Sequence, residues 1–169
     1  MSKYLKEFTF KNPPKKISYL DEEPLKLTED FVFFHNKSKL RKRLTPIQDI
    51  FKSYTKNPLL ALGIRDSYLK EEYTDKFLII LFTTQDIISN TNNIIKTHSE
   101  VDFEKGNFYL RVSSQYLILL AKDMEGINVG VDLMEGIFIQ VLEDYFNRKE
   151  FDDFIKIRPI KLLGGTKDN

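Results

Sequence analysis

Six consecutive residues constrain this chain more than any others. Tyr116-Leu117-Ile118-Leu119-Leu120-Ala121 is apolar without interruption, apart from one tyrosine hydroxyl. A run of that length, rich in branched side chains, is predicted to be a strand at the centre of a sheet rather than at its solvated edge. Next along the chain, Leu133, Ile137, Phe138, Val141, Leu142, Tyr145 and Phe146 recur at spacings of three and four. That period draws an apolar stripe along a helix over 132–147, with Gln140, Glu143, Asp144 and Asn147 on the other side.

The remaining segments fill in around this pair. Residues 1–30 mix short apolar patches with Lys and Pro, including Asn12-Pro13-Pro14-Lys15-Lys16, and are predicted to form an extended arm. Short strands are expected at 31–34, 59–64, 76–83, 101–103 and 108–112, and a last strand or arm, bent at Pro159, at 154–163. Thr45-Pro46 resembles a helix start, with Ile47, Ile50, Phe51 and Tyr54 at helical spacing and Asn57-Pro58 as its stop. A second, asparagine-rich helix is expected over 84–98. The stretch 123–130 reads as a loop, Val129-Gly130-Val131 as a short extended piece, and Gly126, Gly130 and Gly136 as turn formers.

The element order mixes β and α without strict alternation. It predicts an α+β domain over 31–163, with an antiparallel or mixed sheet of about five strands and two or three helices packed on it. Residues 164–169 are expected to be a disordered tail.

Composition then excludes several kinds of chemistry. With no Cys among 169 residues, disulfides, thiolate metal sites and cysteine nucleophiles are ruled out. No phosphate-cradling glycine motif, Gly-x-Ser-x-Gly elbow or His-Glu-x-x-His is present. The two histidines, His35 and His98, lack the His-x-x-x-His spacing of a zinc site and read as surface or satisfied polar residues. No secretory h-region and no membrane-length apolar run is present, which predicts a cytoplasmic protein with no membrane partner.

Charge is informative only when split along the chain. Twenty-six Lys+Arg nearly cancel 25 Asp+Glu, yet residues 1–56 carry a balance of +6 and residues 57–169 one of −5. The densest cations are Lys37, Lys39, Arg41, Lys42 and Arg43. Five like charges within seven residues repel, so an acidic protein surface or a phosphate-bearing ligand would relieve them. The same residues could equally form a solvated connection or dock on the acidic remainder of the chain. The near-zero total argues against a general nucleic-acid binder, and the dipolar pattern allows contact between copies in a homo-oligomer.

A second candidate lies at Asp123, Glu125, Asp132 and Glu135, where carboxylates gather. Phe108 through Glu135, with Phe-Tyr-Leu-Arg-Val-Ser-Ser and then Val-Gly-Val-Asp-Leu-Met-Glu, resembles the middle of the 4′-phosphopantetheinyl transferases. In that family a Ser-His-Ser segment and a Gly-Ile/Val-Asp-x-Glu strand supply magnesium ligands. Asp132 matches the first acid, Met134 stands where the second belongs, Val112 falls at the histidine, and the later Trp-x-x-Lys-Glu helix is absent. With its second acid and histidine missing, the resemblance implies a transferase whose chemistry is lost; independently of it, Asp123 and Asp132 are two carboxylates that could begin a site for a hard cation such as magnesium. The resemblance also implies a strand on which Glu135 faces away.

Two readings follow. The preferred one is a non-catalytic binding or protein-interaction module working through 37–43. The rival is an enzyme, or a degenerate one, using Asp123, Asp132 and a histidine.

Overall fold

The computed structural model describes residues 7–27, 33–35, 38–55, 61–63, 77–81, 106–121, 123–147 and 155–164. Within them lie nine strands and two helices: β1 (Lys16–Tyr19), β2 (Leu25–Leu27), β3 (Phe33–His35), α1 (Ser38–Thr55), β4 (Ala61–Gly63), β5 (Phe77–Leu81), β6 (Phe108–Val112), β7 (Leu117–Ala121), α2 (Met124–Asn147), β8 (Ile155–Ile157) and β9 (Ile160–Gly164). The helix expected over 84–98, the strand at 101–103, the Asn57-Pro58 stop and the tail beyond Gly164 fall outside the described residues.

The fold is α+β, with a mixed sheet of seven strands in the order β1-β9-β6-β7-β5-β3-β4 and a separate β2-β8 pair. The sheet has two halves. From β1 to β7 every neighbour is antiparallel, whereas β7, β5, β3 and β4 run parallel. β7 stands fourth of seven, and all five of its residues are buried. The unbroken apolar run is therefore the middle strand, as its composition requires.

Alternation along β6 and β7 divides their side chains between two faces. Phe108, Leu110, Val112, Leu117, Leu119 and Ala121 join the core beneath the helices, whereas Tyr109, Ile118 and Leu120 are buried outside that cluster. A tight Ser113 turn sets the register of the hairpin. Its amide donates to the Tyr116 carbonyl at 2.8 Å, and its hydroxyl accepts from the Tyr116 amide at 3.1 Å.

Both helices differ from the expected boundaries. α1 starts at Ser38 rather than Thr45, so Pro46 lies inside it. Leu40, Leu44, Ile47 and Phe51, each 3% exposed or less, form one stripe that runs straight through the proline. An interior proline costs roughly 3 kcal/mol, while burying each such side chain contributes roughly 1.5–3 kcal/mol. The stripe therefore outweighs the proline. Thr45 is no cap: its hydroxyl donates back to the Arg41 carbonyl at 3.5 Å, one turn earlier.

α2 starts at Met124, so 124–130 is helix rather than loop, and Val129-Gly130-Val131 is helical rather than extended. Asp123 caps the new start by accepting from the Gly126 amide at 2.9 Å, while its own carbonyl accepts from the Ile127 amide. Nor do the first two glycines make turns. A Cβ on Gly126 would stand 2.2 Å from the Asn107 carbonyl oxygen, and one on Gly130 would stand 2.4 Å from Leu119 Cδ1. These glycines let the helix lie directly on the sheet, a role that only the three-dimensional contact reveals.

The segment read as an extended arm contributes to both sheets. β1 pairs with β9 and β2 with β8, and Thr9 exchanges two hydrogen bonds of 2.8 Å with the Gln140 amide on α2. Phe8 and Phe10 pack against the core at that point.

Candidate functional site

α1 and α2 run parallel and in register. Arg43 near the start of α1 meets Asn128, Asp132 and Glu135, Phe51 meets Phe138 edge-on at 5.0 Å, and Tyr54 meets Glu143 and Phe146 near the other end. The predicted basic cluster lies in the first turns of this pair. Lys39, Arg41 and Lys42 are exposed, and Lys37 falls outside the described residues.

Arg43 separates from the cluster. Its Nε donates to Asn128 Oδ1 at 2.9 Å, Nη1 to Glu135 Oε1 at 3.1 Å, and Nη2 to both Asp132 Oδ1 and the Asn128 carbonyl. A guanidinium fork suits this task because its donors diverge in one plane. A residue of the expected basic patch and the expected first metal acid thus bind each other. Asn128, Asp132 and Glu135 stand at i, i+4 and i+7 on α2, so one helix face presents all three. Their spacing is visible in the sequence, but it has meaning only once α2 is known to begin before Asn128.

That placement also overturns the strand on which Glu135 was expected to face away from Asp132. Both carboxylates lie on one helix and point to the same arginine.

Asp123 is spent differently. Its two oxygens accept from the Gly106 amide at 3.0 and 3.2 Å, besides the Gly126 amide. It ties the approach to β6 to the start of α2. Nine residues of helix separate it from Asp132, a rise of roughly 13 Å, too far for one ion to bridge. Among the described residues, no three His, Asp or Glu side chains stand close enough to hold a metal ion. His35 is buried on β3, and His98 lies outside the described residues.

A further polar group, unmarked by any sequence motif, lies on the sheet. Arg111 donates to Glu22 at 3.0 Å, beside Tyr109 and Tyr116. Burial pushes both phenols above their ordinary range, and Arg111 pulls against that shift. Both therefore stay protonated through neutral pH. The cluster joins β6 to the segment between β1 and β2 and presents no activated nucleophile.

No family model matches the chain, and no curated protein matches it. Solved structures do match. They include CpGH84D, at TM-score 0.64 and 14% identity, covering 95% of this chain and 24% of that one. The exo-β-N-acetylglucosaminidase of Vibrio harveyi matches at TM-score 0.55 and 10% identity, covering 91% and 18%. A β-hexosaminidase of Streptomyces plicatus matches at 0.55 and 10%, covering 91% and 25%. Identities this low carry the fold alone. The chain spans about a fifth to a quarter of the length of these proteins. In fold it resembles the accessory N-terminal domain of GH20 and GH84 hexosaminidases.

Proposed function

We propose that this chain is a non-catalytic accessory and interaction domain of the kind that accompanies carbohydrate-processing enzymes. One observation carries the reading: nearly the whole chain superposes on a minor part of much larger enzymes. The carboxylates support it, because Asp123, Asp132 and Glu135 are each engaged in holding α2 in place. Most glycosidases set two carboxyl groups about the scissile bond, whereas Asp132 and Glu135 are held together on one guanidinium. The purified chain should leave a chromogenic N-acetylglucosaminide intact. Turnover that persists through repurification and disappears in Asp132→Asn would overturn the reading.

Its working surface is proposed to be the exposed cations Lys39, Arg41 and Lys42, facing an acidic protein surface. Binding to polyglutamate should weaken as salt rises, and should fall about tenfold in a Lys39→Glu, Arg41→Glu, Lys42→Glu variant. Equal binding before and after that reversal would leave the patch as solvated surface. Arg43 is excluded from the test because it holds α2.

A further inference from the structure

We infer that β1 pairs with β1 of a second copy of this chain, antiparallel about a two-fold axis at Ser18, so that two sheets join edge to edge. This goes beyond the surface proposed above and does not rest on it, because β1 ends the sheet whereas Lys39, Arg41 and Lys42 lie on α1.

Hydrogen-bond parity fixes which groups of β1 face outward. Among the described residues β1 has a strand on one side only, β9. The Leu20 amide donates to the Pro159 carbonyl at 3.1 Å, one step beyond the Tyr19–Ile160 partners. In an antiparallel pair, residues bonded across the ladder alternate with residues that are not. Lys16 and Ser18 therefore bond to β9 as Leu20 does, and Ile17 and Tyr19 aim their amides and carbonyls at the outer edge. The Phe8 amide reaches Tyr19 through its hydroxyl, at 2.7 Å, and not through that backbone.

Side chains alternate with the same period. Ile17 and Tyr19 stand opposite the core residues Leu162 and Ile160, on the face that the helices cover. Ile17 is nevertheless 39% exposed, because the sheet order ends at β1.

One register of a two-fold pair suits every residue. With Ser18 opposite its mate, Ile17 faces Tyr19 of the second copy, and Tyr19 faces Ile17. These are the residues with outward backbone groups, so each pair exchanges two hydrogen bonds. Ile17 also gains an aromatic neighbour on its own face, a favourable cross-strand contact. Lys16 lies along Leu20, and beyond them exposed Lys15 meets exposed Asp21 at both ends. Neighbouring charges do not reverse this pattern. Arg111 is held by Glu22, Arg158 lies over the Tyr19 ring at 4.3 Å, and Glu7 near the Tyr19 hydroxyl adds to the acidic end. Lys161, across from Ser18 on β9, stands three strand spacings from its mate, roughly 14 Å, so salt screens that repulsion. Edge lysines repel strands that bring no acid to this register, and a second copy does bring one. So short a ladder buries little area, so the association should depend on concentration.

Because the chain has no Cys, the register can be read by cross-linking. In Ser18→Cys the two Cα atoms should meet across the axis at about 4.5 Å, within disulfide reach. Mild oxidation of the full chain should give a covalent dimer about tenfold faster in Ser18→Cys than in Lys16→Cys or Ile17→Cys, whose mates stand out of register. Sedimentation velocity of the unaltered chain should show a monomer–dimer equilibrium. Ile17→Pro removes an outward amide and no bond to β9, so it should abolish the dimer and leave the chain folded. Lys15→Glu and Asp21→Lys should each weaken the dimer about fivefold, and the chain carrying both should regain it.

A chain that stays monomeric at all concentrations overturns the inference. So do equal oxidation rates for the three cysteine variants, a dimer that survives Ile17→Pro, or a charge-swapped chain that fails to regain the dimer.

Discussion

α1 carries a proline in its interior and α2 carries three glycines, yet the two helices lie side by side over one sheet. The proline of α1 is a burden that neighbouring residues overcome. Nothing described requires Pro46 there, and the helix passes through it because Leu40, Leu44, Ile47 and Phe51 are buried on both sides of it. The first two glycines of α2 are a requirement. Gly126 and Gly130 occupy the places where the helix backbone comes within reach of Asn107 and Leu119. Gly136 resembles the proline instead, since it faces open space. Residues that weaken an isolated helix can thus be imposed by a contact or merely tolerated, and the contact decides which.

Substitutions can separate these cases. The largest effect is expected for Gly126→Ala, which sets a methyl group against a backbone oxygen that cannot rotate away. Denaturant unfolding should show a loss of about 3 kcal/mol. Gly130→Ala should cost less because Leu119 can shift its side-chain tip, and Gly136→Ala should gain about 0.5–1 kcal/mol. Three equal outcomes would erase the distinction between required and tolerated glycines.

Next in size is Pro46→Ala, which restores an amide donor to α1 and should gain about 1–2 kcal/mol in the same experiment. A loss there would mean that the proline holds a bend on which α1 depends.

The smallest effect is expected for Arg43→Lys. It keeps the charge but replaces a fork with a single ammonium, so only part of the Asn128, Asp132 and Glu135 contacts survive. Since Asp132 is 69% exposed, solvent screening should hold the loss to about 0.5–1 kcal/mol. A loss several times larger would make this clasp, rather than the apolar stripe, the main tie between the helices.

The same contrast explains what could be read in advance. β7 was legible because five buried apolar residues admit one environment, and the stripe from Leu133 to Phe146 because its period is unambiguous. The starts of both helices were hidden. Proline and glycine ordinarily mark boundaries, and only neighbours distant in sequence show that here they do not. The Arg43 clasp was hidden for the same reason: its acids lie about 90 residues away, and Asn128, the first of its three partners, lies on a segment that reads as a loop until Asp123 is seen capping it. Charge asymmetry could be counted, but the opposite-charge contact inside it could not.

The pairing of β1 with β9 bears on how the chain is made. Lys16–Tyr19 finds its ladder partners in Ile160–Leu163, nearly the whole chain later, and β2 likewise waits for β8. During synthesis these early strands are complete long before anything exists to hold them. Non-local closure of that span is slow, and an unpaired strand is open to unwanted partners meanwhile. The prolines at 13 and 14 and the lysines at 15 and 16 stand immediately before and within β1. Prolines and lysines of this kind discourage edge pairing, so the residues that make the arm look unstructured also protect a strand that waits long for its partner.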